Sequence, residues 1–159
     1  MKQGFDMHML SRRALLGAFA VLPFASYAQA QTGPLVEVEK DAGCGCCKAW
    51  ISHLEDNGFS VNARDVPYEV LSQSKIDAGL KPEHFSCHTA KVDGYVVEGH
   101  VPAEDIRRML AEKPDALGLT VPGMPMGSPG MDFGNEREAY DVLLVKRDGS
   151  AEIYSSYTA

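Results

Sequence analysis

The stretch Leu35-Val36-Glu37-Val38-Glu39-Lys40-Asp41-Ala42-Gly43-Cys44-Gly45-Cys46-Cys47-Lys48-Ala49-Trp50-Ile51-Ser52-His53-Leu54 decides how the chain folds. Residues 35–39 alternate apolar and charged side chains, the period of a strand with one buried face. A turn follows at Asp41-Ala42-Gly43. Over residues 46–57 the apolar side chains Cys47, Trp50, Ile51 and Leu54 recur at i, i+3, i+4 and i+7, which predicts an amphipathic helix, and Gly58 supplies its stop. Residues 59–66 read as a second strand. A strand-turn-helix-strand unit of this length favours a right-handed parallel crossover.

Downstream, residues 68–78 predict a second helix, ended by Gly79 with Pro82 beyond it. Residues 90–92 and 95–98 flank Asp93-Gly94, a pair that tolerates the positive φ of a tight hairpin turn. Pro102 is placed at the first turn of a third helix, whose apolar face is Ile106, Met109 and Leu110 and whose stop is Pro114. Residues 114–136 show no period. Within them, Val121-Pro122-Gly123-Met124-Pro125-Met126-Gly127-Ser128-Pro129-Gly130-Met131 is a Pro/Gly loop with three methionines, and long loops in small domains are usually functional or disordered. Residues 140–146 and 151–157 flank Asp148-Gly149, a second hairpin signal. The order β-α-β-α-β-β-α, then a loop and a hairpin, predicts an α/β fold. It is read as a thioredoxin-like mixed sheet flanked by helices, with a Met/Pro/Gly loop and a C-terminal hairpin extension. There are no internal repeats and no second domain boundary, so residues 31–159 are expected to form one domain.

The chain has 159 residues, 45% of them hydrophobic, with 15 Lys+Arg against 22 Asp+Glu and a formal charge of −7. This is about the size of one domain, and it lacks the basic footprint of a nucleic-acid binder. Lys2, Arg12 and Arg13 precede an uncharged stretch, residues 14–28, and Ala28-Gln29-Ala30 offers a small-x-small cleavage site. Residues 1–30 are therefore expected to be an export signal cleaved near Ala30. Ser11-Arg12-Arg13-Ala14-Leu15-Leu16 resembles a twin-arginine signal; an ordinary Sec leader with adjacent arginines is the alternative. The apolar stretch falls short of the roughly 20 residues of a membrane span, and no later segment comes close, so no stable span is expected in the mature form. Without residues 1–30 the chain has 129 residues and a formal charge of −9, and it keeps all four cysteines. In an oxidising periplasmic compartment these thiols should pair, be held by metal, or cycle in redox chemistry.

Cys44-Gly45-Cys46-Cys47 holds two arrangements at once. Cys44 and Cys47 form a Cys-x-x-Cys pair at a helix N-terminus, where the helix dipole stabilises a thiolate. Cys46, inserted between them, offers competing disulfides to a dithiol oxidoreductase and makes more sense as a ligand. Three thiolates within one turn repel one another unless they are protonated, oxidised or neutralised by cations. Soft sulfur suits Cu(I), zinc or iron–sulfur chemistry, and thioethers tip the choice toward Cu(I). Structural zinc sites present Cys-x₂₋₄-Cys twice, and iron–sulfur runs use wider spacing. Thiolate-bridged copper fits best, with a disulfide-stapled small domain as the plain alternative.

Cys87 and His88 lie between the second helix and the third strand, in a loop expected to return to the first helix N-terminus. Cys87 could add a fourth sulfur, be buried, or pair with a cluster cysteine. His88 is adjacent to it, and neighbouring strand side chains face opposite ways, so the two need not both point inward. His53, about 10 Å along the helix from Cys46, cannot share its metal and reads as a partly exposed surface residue; His84 reads as a loop residue. His100 is placed as a ligand or as a group supporting one. Met109 and Trp50 belong to the core. Met124, Met126 and Met131 have no ready packing role and suit a thioether lid, or else a cover for a sheet face or partner patch.

At these residues the chain resembles a known family. The stretch from Lys40 through Cys44-Gly45-Cys46-Cys47 to Trp50, then Ser86-Cys87-His88-Thr89-Ala90, Val97-Glu98-Gly99-His100-Val101-Pro102 and Val121-Pro122-Gly123-Met124-Pro125, are similar to the CopG-type proteins. These are periplasmic bacterial proteins associated with copper and silver resistance. The four motifs occur in matching order over residues 35–157. The resemblance implies a thioredoxin-like domain with a multinuclear copper cluster on its Cys-x-Cys-Cys motif that interconverts Cu(I) and Cu(II). By matching position, Cys44, Cys46 and Cys47 would be ligands, with Cys87, Met124, Met126 and His100 as further transfers; His88, adjacent to Cys87, is counted with them as a candidate metal residue. The expected function is copper tolerance, with copper held as Cu(I). The alternatives are a thiol–disulfide oxidoreductase using Cys44 and Cys47, or a copper chaperone that passes its metal to an efflux partner.

Overall fold

The computed structural model describes residues 33–159; the expected leader over residues 1–30 lies outside the described residues. Seven strands form one mixed sheet. Strand β1 (Leu35–Lys40) leads through helix α1 (Gly45–Asp56) to β2 (Ser60–Asp65), and helix α2 (Tyr68–Asp77) follows. A 3₁₀ turn at Pro82–His84 then leads into β3 (His88–Val92) and β4 (Tyr95–Glu98). Helix α3 (Ala103–Glu112), β5 (Gly118–Thr120), β6 (Tyr140–Val145) and β7 (Ala151–Tyr157) complete the chain. The strand order across the sheet is β2-β1-β3-β4-β5-β6-β7. The β1–β2 and β4–β5 pairs are parallel and the others antiparallel.

The alternation in β1 does what its period predicts. Val36 and Val38 are buried while Leu35 and Glu37 are exposed. With Ala90, Val92, Val97 and Leu119, these valines form the sheet side of a core whose other side is Trp50 and Leu54 of α1 and Ile106 and Met109 of α3. Each fully buried side chain of this size contributes about 1.5–3 kcal/mol. The Trp50 indole N–H is satisfied inside that core by donating to the Val101 carbonyl at 2.8 Å. Helix α2 lies on the opposite face, where its buried Lys75 meets Thr89 and Glu98.

Three local expectations are corrected. Residues 114–136 are not loop throughout, because Gly118–Thr120 forms β5 between β4 and β6. The C-terminal hairpin therefore continues the main sheet. Pro102 caps α3 instead of occupying its first turn. His84 is buried in the 3₁₀ turn, where its Nδ1 accepts from the Lys81 N–H at 3.3 Å.

The Met/Pro/Gly loop is braced internally. Met126 and Glu138 exchange two bonds of 2.8 Å, one from the Met126 N–H to the Glu138 carboxylate and one from the Glu138 N–H to the Met126 carbonyl. Ser128, fully buried, donates its hydroxyl to the Pro125 carbonyl at 2.7 Å.

Candidate metal centre

Helix α1 begins at the cysteines because the turn before it is closed by its own side chains. Asp41 Oδ1 accepts from the Gly43 N–H at 2.7 Å, and its carbonyl accepts from the Cys44 N–H at 3.1 Å. Cys44 is the N-cap, its sulfur accepting from the Cys47 N–H at 3.3 Å. Cys46 and Cys47 lie in the first turn, where the unpaired N–H groups of the helix favour negative charge.

Opposite them, Cys87 occupies the bend just before β3, His88 is the first residue of β3, and His100 sits in the turn after β4. The sulfurs of Cys44, Cys46, Cys47 and Cys87 all lie within 4.8 Å of one another. Cys46 is 3.6 Å from Cys44 and 3.8 Å from Cys87, and Cys47 is 3.5 Å from Cys87. Cys87, His88 and His100 form a second group with the same spread. Here Cys87 Sγ is 3.3 Å from His88 Nδ1 and 3.1 Å from His100 Nε2. Cys87 belongs to both groups, so four sulfurs and two imidazoles make one continuous donor set. Cys87 and His88 both point inward because Cys87 precedes the strand, where side chains do not yet alternate.

Cys44 and Cys47 are joined by a disulfide, while Cys46 and Cys87 are free thiols. Burial pushes the Cys87 thiol up to about 12, and the adjacent Cys46 adds to the effect. A bound cation reverses this balance, since it stabilises the thiolate that burial opposes.

The two imidazoles are fully buried, and burial lowers the pKa of each. Both are therefore neutral near pH 7 and keep a ring nitrogen lone pair. For His100 the tautomer follows from its partner. The Pro129 carbonyl, 2.8 Å from Nδ1, can only accept, so Nδ1 carries the proton and Nε2 presents its lone pair toward Cys87. The His88 ring stacks at a tilt on Trp50, 4.3 Å between centroids, and stands edge-on to His100. Its Nε2 makes no hydrogen bond of ordinary geometry, and a weak interaction with the Gly99 backbone offsets its burial only in part.

The loop is tied beside the donors at both ends of its methionine arc. Gly123 donates its N–H to the Phe85 carbonyl at 3.0 Å and accepts from the Ser86 hydroxyl, next to Cys87. At the other end, Pro129 holds His100 and Gly130 lies against the first turn of α1. Met124 is 51% exposed, and Met126 and Met131 are half-buried. The arc from Met124 to Met126 thus runs between an anchor on Ser86, next to Cys87, and an anchor on His100.

His53 stands apart from this set and is partly exposed, as expected, but it also has a structural partner. It is half-buried, and its Nε2 accepts from the Ala103 N–H at 3.1 Å, capping α3 from outside that helix. The residues missed by sequence reasoning are Lys75, Thr89 and Glu98, a buried polar network behind Cys87 and His88. The one signal for it was an acidic residue inside the apolar run Val96-Val97-Glu98-Gly99.

Fold and donors together define an α/β protein with a cysteine-rich metal-binding site. A family described as "Protein of unknown function, DUF411" matches residues 84–131, the segment that carries Cys87, His88, His100 and the methionine loop. Two solved structures, "Copper resistance protein copG- Form 1" and "Copper resistance protein copG- Form 2", are each 46% identical to this chain with a TM-score of 0.73. Each match covers 79% of this chain and 98% of the solved one. No curated protein matches. The chain belongs to the CopG family of copper-resistance proteins.

Proposed function

We propose that this protein is exported to the periplasm by its first 30 residues, and that the mature domain binds copper there as Cu(I) in the service of copper tolerance. The observation that carries the reading is the gathering of Cys44, Cys46, Cys47 and Cys87 into one group and of Cys87, His88 and His100 into another, with Cys87 common to both. Sulfur is the soft donor that Cu(I) prefers, and a thiolate can bridge two such ions. Four thiolates at these separations would repel one another, and more than one Cu(I) shared among them removes that repulsion. Met124 and Met126, on the loop anchored beside Cys87 and at His100, offer thioethers as further soft donors for Cu(I). The imidazoles widen the set toward Cu(II), so a redox role between the two oxidation states is compatible with it.

This form of the site requires the Cys44–Cys47 bond to be reduced. The disulfide in turn favours a second reading, thiol–disulfide exchange by a Cys-x-x-Cys pair whose first cysteine caps a helix. The thioredoxin-like reading is supported by β1 and β2 pairing in parallel on either side of α1, with the β3–β4 hairpin antiparallel to β1. A chaperone that hands copper to an efflux partner is a variant of the first reading.

Cys46 separates the readings because it takes no part in the disulfide. Reduced Cys46→Ser protein should retain fewer Cu(I) ions against a competing chelator while keeping dithiol exchange through Cys44 and Cys47. Unchanged copper stoichiometry in this variant would sink the cluster reading.

A further inference from the structure

We infer that the buried Lys75–Thr89–Glu98 network positions Cys87, His88 and His100, with the Glu98 carboxylate as a clamp on the segment that carries the donors. The inference rests on the copper-site reading above. Glu98 Oε1 accepts from the Ser86 N–H at 2.6 Å, and Oε2 accepts from the Thr89 hydroxyl at 2.7 Å. Ser86 immediately precedes Cys87 and Thr89 immediately follows His88. One rigid carboxylate therefore grips both ends of Ser86-Cys87-His88-Thr89. The same residue stands two positions before His100, so a single side chain ties together the backbone of three donors.

The rest of the network holds Glu98 in place. Lys75 reaches across from α2 and donates to Glu98 Oε1 at 2.5 Å and to the Thr89 hydroxyl oxygen at 2.8 Å. Its ammonium also lies 5.7 Å from the centre of the Phe85 ring, just upstream of Ser86. Gly99 allows the close approach. At its φ of +72°, a Cβ would fall 2.5 Å from the Ser86 side chain and 2.6 Å from the Val121 carbonyl.

Stability alone does not account for this arrangement. Both side chains are almost wholly buried, Lys75 at 6% and Glu98 at 0% exposure. A buried ion pair costs so much desolvation that well-packed apolar residues of similar volume are often as stable or more so. Thr89 and Glu98 also project from the sheet face opposite His88, so neither competes for the metal. What the network supplies is geometry, the role outer groups play for ligating side chains.

The test uses the full mature protein and two double variants sharing one substitution. Lys75→Met/Glu98→Leu removes both charges and the clamp. Lys75→Met/Glu98→Gln removes the charges but keeps a carbonyl for the Ser86 N–H and an amide for Thr89. Three quantities are read on each: Cu(I) affinity against a competing chelator, the thiolate-to-copper charge-transfer band, and the alkylation rate of Cys87 in the reduced metal-free protein. The Leu variant should lose about ten- to a hundredfold in affinity, with a changed band. Its Cys87 should alkylate faster, even at an unchanged urea midpoint. The Gln variant should recover most of this. Wild-type behaviour in the Leu variant, or no recovery in the Gln variant, overturns the clamp. If the Leu variant does not fold, Thr89→Val, which releases one grip, should shift the same readouts in the same direction, and no shift overturns the proposal. Failure of the wild type to bind Cu(I) counts against the copper reading, while the Cys87 alkylation rates still judge the clamp.

Discussion

Cys87 is the residue on which the two donor groups meet, 3.5 Å from the Cys47 sulfur and 3.1 Å from the His100 ring. Its loss should therefore be felt more widely than that of any neighbour. Cys87→Ser is expected to lower Cu(I) affinity by more than the roughly ten- to hundredfold typical of an outer-group change, and by more than His100→Ala. Chelator competition on the reduced variants checks this, and equal losses would mean that the groups do not share a ligand. At this scale the cysteines were legible because their spacing is itself the chemistry. The histidines were less so. His53 carries a capping bond to Ala103, fifty residues away in the chain, and nothing in its local pattern announces that partner. Nothing in the local pattern marks Lys75 as buried, because it meets its charged partner Glu98 across 23 positions.

The elements that position the site are α1 and the methionine loop, and their contact is tight. Gly130 has φ +85°, and a Cβ there would lie 2.7 Å from the Trp50 nitrogen and 2.8 Å from the Cys46 carbonyl oxygen. Both are backbone atoms of α1 and cannot step aside without distorting its first turn. Gly130→Ala should cost about 1–3 kcal/mol, read as a lower urea midpoint, and should weaken copper binding by lifting the loop from His100. An unchanged midpoint would mean that the loop does not pack there. The first half of the fold was legible because the period of two in β1 and the i, i+3, i+4 pattern of α1 each run long enough to count. Strand β5 was not, since three residues beginning with glycine carry no period and sit among Pro and Gly. Its identity comes from pairing with β4 and β6, which is tertiary information. The same gap made the C-terminal hairpin look like an extension.

For the molecule as a whole, the buried imidazoles set a pH dependence. Burial lowers the pKa of His53, His84, His88 and His100 below the ordinary value of 6.5. Below that value the unfolded chain takes up protons that the folded chain refuses. Their contribution to stability is thus fully present above about 6.5 and is lost as the pH falls toward the folded values. Glu98, whose carboxyl is raised by burial, acts in the opposite sense but is one group against four. The urea midpoint of reduced metal-free protein should fall from about pH 7.5 to about pH 5.5, and a flat profile would mean that these histidines are protonated in the fold. Among the described residues no helix is long and apolar enough to cross a membrane, and the donors are gathered by three chain segments, at the start of α1, at the start of β3 and just after β4. This gathering is proposed to exist for copper. Metal analysis of the mature protein, reduced and loaded with Cu(I) under anaerobic conditions and paired with a thiol count, tests it most directly. More than one copper per chain, with Cys44, Cys46, Cys47 and Cys87 all shielded from thiol reagents, is the predicted result. Four freely reacting thiols, or re-formed disulfides with no copper retained, would contradict it.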